Sequence, residues 1–189
     1  MVKVRWVLMH PSDFFEKRQF ETHIREAALY LITLTFVSSI LSSLLNLAVG
    51  ANQLSLMRKF FYLNLPLPGS APLKLALLSV VYSILLIFFS YAVAFLLKLW
   101  MHLFLVHTPY SKSYQLLAYA VTPIYLFGWI SEYVSYATWV WALILLVLGC
   151  RNMFGASRKK AWLMFTLPAL LFVLGSFVVG SWIASIFSG

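Results

Sequence analysis

Hydrophobic residues run along this chain in long blocks, without the two-residue alternation of a membrane strand. Five stretches are free of charged side chains: Ala27–Met57 with 31 residues, Leu75–Leu97 with 23, Ser113–Ser131 with 19, Tyr133–Cys150 with 18 and Ala161–Gly189 with 29. A helix needs ~20 residues, within a range of ~17–25, to cross the hydrocarbon core of a bilayer. The pattern therefore predicts an all-α integral membrane protein, a bundle of five transmembrane helices at about 27–49, 75–97, 113–131, 133–150 and 161–187. The third and fourth runs meet at Ser131-Glu132, so they form either two full spans in a tight hairpin or a re-entrant pair; two full spans are expected.

Outside these runs little chain is left. Residues 1–25 form a cytoplasmic or interfacial segment before the transmembrane domain at 26–189. Within it Pro11-Ser12-Asp13 reads as a helix start, with an acid in the first turn where the helix dipole favours it. Phe14, Phe15 and Phe20 then interleave with Glu16, Lys17 and Arg18, which predicts a short amphipathic helix lying on the anionic inner leaflet. Met1–Met9 mixes basic and apolar residues and is no signal peptide, so the chain is expected to insert by its first span. The segment 50–72 carries Phe60, Phe61, Tyr62, Pro66, Pro68 and Pro72, which suits an outer loop at the interface. The second helix is expected to run on past Lys98 until Pro109 stops it.

Composition supports this picture and adds a direction. Hydrophobic residues make up 62% of the 189 positions and charged residues 10%, against roughly 25% charged in a soluble domain. The net charge of +9 is spread between apolar runs rather than gathered on one face, so it argues for membrane boundaries and against nucleic acid. With the amino terminus cytoplasmic, eleven basic residues fall inside and three, Arg58, Lys59 and Lys74, outside. Basic residues in short loops set orientation, so a multi-pass cell-membrane protein with its carboxyl terminus outside is expected. The single cysteine, Cys150, excludes an internal disulfide and any multi-thiolate metal site.

Chemistry is hard to find. No ionisable residue lies inside the predicted spans, no nucleophile–base set or phosphate loop is present, and no cofactor is implied. His102 and His107, five apart on one helix, would point about 140° apart and share no metal. The spans instead carry rows of small residues at helical spacing: Thr35, Ser39 and Ser43; Ser79, Ser83, Ser90 and Ala94; Ser176, Gly180, Ala184 and Ser188. Such rows let helices approach closely and let hydroxyls bond across, which suits packing inside the bundle and, less often, self-association. Pro123 and Pro168 predict kinks in the third and fifth spans.

Several motifs resemble one family. Leu117-Ala118-Tyr119-Ala120-Val121-Thr122-Pro123 is similar to the Leu-Gly-Tyr-x-x-x-Pro segment of the Yip family of five-span membrane proteins, with Ala118 in place of the glycine. Trp139-Val140-Trp141-Ala142 resembles its fourth span, and Lys160-Ala161-Trp162 through Pro168 its fifth. Pro11-x-x-Phe14-Phe15 resembles an element of prokaryotic members. The resemblance implies a non-catalytic membrane protein, a membrane-organising or partner-binding scaffold with a membrane-protein partner or a second copy of itself. The Asp-Leu-Tyr-Gly-Pro element of Rab-binding relatives is absent, which argues against a Rab GTPase partner and for a bacterial or archaeal member. The competing reading is a small transporter or channel lined by the first-span serines.

Overall fold

A computed structural model describes residues 2–18, 23–49 and 71–170. The chain there is helical: α1 (Val2–Met9), α2 (Pro11–Arg18), α3 (Ile24–Val49), α4 (Ala71–Leu103), α5 (Tyr110–Ala120), α6 (Thr122–Phe127), α7 (Glu132–Phe154) and α8 (158–170), with no strand among the described residues. Stretches Ile24–Leu45, Ser79–Leu103 and Tyr133–Phe154 are long and apolar enough to cross a membrane. Phe20, the loop aromatics and the Ser176, Gly180, Ala184 row lie outside the described residues.

The segment expected as the third span is two helices. It breaks at Val121, two residues before Pro123, whose ring deprives the Tyr119 carbonyl of its i+4 amide partner. The Thr122 hydroxyl donates to that carbonyl at 2.6 Å, so the kink leaves no bare acceptor. With Val121 between them α5 and α6 cover 18 residues, about 27 Å at 1.5 Å per residue. Helix α5 is the central element, with Ser113, Tyr114, Gln115, Leu116, Ala118 and Tyr119 all buried among α2, α3, α4 and α7.

Helix ends follow local chemistry. Ser131 caps α7 by accepting from the Val134 amide at 3.3 Å, and Gly155 closes it at φ 65, the left-handed conformation that glycine adopts without strain. The second span ends differently from the sequence expectation. Helix α4 stops at Leu103, not at Pro109, because the chain folds back through Leu105 at φ 56, with the Val106 and Leu105 amides donating to the Met101 and His102 carbonyls.

The largest correction concerns α2. Phe14 and Phe15, expected to face the leaflet, are both fully buried inside the bundle. Helix α2 packs along the end of α7, where the Asn152 side-chain amide donates to the Ser12 carbonyl at 3.1 Å. Glycine at 149 makes the approach close: a Cβ there would stand 2.3 Å from Leu116 Cδ1 and 3.1 Å from Phe15 Cε1.

Side-chain bonds also fix which ends lie together. Lys112 donates to the Arg18 carbonyl, Gln115 to the His23 carbonyl and Trp100 Nε1 to the Met164 carbonyl. The starts of α3, α5 and α8 and the ends of α4 and α7 therefore share one end of the bundle with α2.

Candidate functional site

The residues singled out at opposite ends of the sequence meet at the junction of α2, α3 and α5. Phe14 and Tyr119 stack edge to face at 4.8 Å between ring centroids, Phe14 does the same with Phe15 at 5.5 Å, and Tyr30 lies 5.1 Å from Tyr119. Edge-to-face contacts place the positive ring edge against a negative ring face and add about 0.5–1.5 kcal/mol per pair. Pro11 starts α2 and Pro123 is buried at the start of α6, so each motif proline positions the aromatic group near it. Pro168 lies within α8.

Polar residues that the sequence pattern did not single out ring this aromatic core. The Arg18 guanidinium lies over Phe14 and Tyr119, 5.2 and 5.7 Å from their centroids, and 3.5 Å from a Glu26 carboxylate oxygen that also pairs with Lys3 at 2.5 Å. A guanidinium over two ring faces beside a carboxylate is a cation held by π-density and charge together. Tyr30 and Thr122 bond at 2.8 Å; since the Thr122 proton goes to the Tyr119 carbonyl, Tyr30 is the donor. Among the described residues the Tyr119 hydroxyl and Gln115 Oε1 are buried without a well-formed hydrogen bond, the Arg18 guanidinium lying beside the former. Burial holds the Lys112 ammonium below its ordinary pKa. A shallow groove of about 480 Å³, lined by His23, Arg25, Glu26 and Leu29, opens beside the junction.

The serine rows form a second cluster. Ser83 of α4 lies 2.8 Å from Ser39 of α3, Ser43 bonds to Ser79, and Ser43 also donates to the Ser39 carbonyl. Their hydroxyls are consumed by one another and by helix carbonyls. His102 and His107, expected to diverge on one helix, instead stack at 4.3 Å and 18° because the turn at Leu105 reverses the chain between them. Their planes are nearly parallel, so no single ion lies in both, and among the described residues no group of three metal-ligating side chains forms.

A helical bundle with apolar membrane-length helices and a core of buried aromatic motif residues is a polytopic membrane protein. The Yip1 domain model matches residues 6–180, and the chain belongs to that family. No curated protein and no solved structure matches it.

Proposed function

We propose that the chain is a five-span, non-catalytic scaffold of the cell membrane, which organises the bilayer or holds a membrane-protein partner or a second copy of itself. The observation that carries this reading is the burial of the motif side chains: Phe14, Phe15 and Tyr119 are fully enclosed, and Phe14 packs against both of the others. Residues so placed hold a shape and leave recognition to the surface. The α3–α4 seam argues in the same direction, because its serines bond to each other and leave few groups to replace a solute's hydration shell. On this reading the end bearing α2 faces the cytoplasm, and α8 begins the fifth span.

Two assays on the full chain separate scaffold from transporter. In liposomes the protein should give no more solute flux than empty vesicles, and crosslinking in its native membrane should give discrete adducts. Reproducible flux, without adducts, would overturn the scaffold.

A further inference from the structure

We infer that the elbow between α7 and α8 is a seat for an anionic phospholipid. Arg151 lies in the last turn of α7, Gly155 turns the chain, and Arg158, Lys159 and Lys160 open α8. Three successive cations in a first turn oppose the helix dipole, whose positive end they share. The Ser157 hydroxyl accepts from the Lys160 amide at 3.4 Å, which caps that turn and supplies no countercharge. Among the described residues none of the four cations forms an ion pair, and the α2 acids Asp13 and Glu16 pair with none of them. No acid follows Glu132 in the sequence. Elsewhere at this end one carboxylate, Glu26, pairs with both Lys3 and Arg18.

What lies beyond the cations identifies the partner. Lys159, Leu163, Leu167 and Leu170 fall at i, i+4, i+8 and i+11, one face of α8, and all four are exposed. The opposite face, Ala161, Met164 and Phe165, is buried against the bundle. The exposed face is thus a cation at the head of an apolar stripe about 10 Å long, Leu163 to Leu170 at 1.5 Å per residue. Arg158 stands likewise one turn before the exposed Trp162. A soluble acidic peptide would match the cations and leave the leucines in the wrong solvent. A phospholipid carries an anionic head and an acyl chain in this order, and basic clusters just cytoplasmic of a span favour anionic headgroups.

The test uses the full chain in nanodiscs of phosphatidylcholine and phosphatidylglycerol at 3:1, followed by native mass spectrometry of the lipids retained on release. Wild type should retain phosphatidylglycerol several-fold above its bulk share. R158Q/K159Q should fall to the bulk ratio, and R5Q/R25Q, which removes two charges elsewhere at the same end, should keep the enrichment. Circular dichroism confirms that each variant is helical. Raising NaCl from 0.1 to 0.5 M should lower the wild-type enrichment, since screening weakens exposed charge contacts. Enrichment that survives R158Q/K159Q, or that R5Q/R25Q reduces equally, would overturn the seat. This outcome is independent of the flux and crosslinking assays.

Discussion

Tyr119 and Tyr30 show how far a residue's type is from its energetics. Both rings join the same aromatic core, but the Tyr30 hydroxyl donates to Thr122 at 2.8 Å whereas the Tyr119 hydroxyl, beside the Arg18 guanidinium, is buried without a well-formed hydrogen bond among the described residues. An unsatisfied buried hydroxyl costs more than its removal, while deleting one member of a made bond strands the other. Tyr119→Phe is therefore expected to be neutral or stabilising by up to about 1 kcal/mol, and Tyr30→Phe to destabilise by about 1 kcal/mol. Thermal melting of the two variants in detergent reads the difference. A loss at Tyr119 equal to that at Tyr30 would show that its hydroxyl is bonded. The sequence marked Tyr119 through its spacing to Pro123, but nothing in that spacing separates a bonded phenol from an orphaned one. Arg18 shows the same limit: beside Lys17 it reads as a basic residue on a leaflet-bound helix, and only the fold brings it over Phe14 and Tyr119.

At the scale of elements, long charge-free runs give α3, α4 and α7, and Pro123 gives the break at Val121, because those features depend on length and on a missing amide. The fate of α2 was not legible. Two phenylalanines among charges predict an amphipathic helix, but the pattern cannot tell a leaflet from the cleft between α5 and α7. The end of α4 was also hidden, since a leucine at φ 56 is a conformation its side chain disfavours. The α3–α4 seam offers a test at this scale. Ser83 is fully buried and 2.8 Å from Ser39, whereas Val80, one turn earlier, is exposed. Helices in lipid gain no hydrophobic drive from association and depend on close contact. Ser83→Leu should force them apart at a cost of about 1–3 kcal/mol, seen as a lower melting temperature, while Val80→Leu should leave it unchanged. Equal melting of both variants would mean that the seam does not hold the bundle.

Seen whole, the molecule has two unlike ends. One gathers α2, the starts of α3, α5 and α8, and the ends of α4 and α7, and with them Lys17, Arg18, Lys98, Lys112, Arg151 and Arg158. The turn at 128–131 lies at the other, next to the exposed Tyr133 and Tyr136, the aromatic type that bilayer interfaces favour. From Tyr133 to Arg151 is 18 residues, about 27 Å of helix, close to the ~30 Å hydrocarbon thickness. The basic end should therefore be cytoplasmic and the turn outside. Cys150 is the chain's one thiol, so Cys150→Ala gives a background in which single cysteines report position. In that background Ile130→Cys, at an exposed site in the turn, should react with an impermeant maleimide on intact cells. Ala156→Cys, in the elbow, should react only after lysis. The reverse pattern would invert the orientation. Protection of both sites until lysis would mean that the third and fourth segments re-enter without crossing, leaving the turn on the cytoplasmic side and the five-span reading wrong.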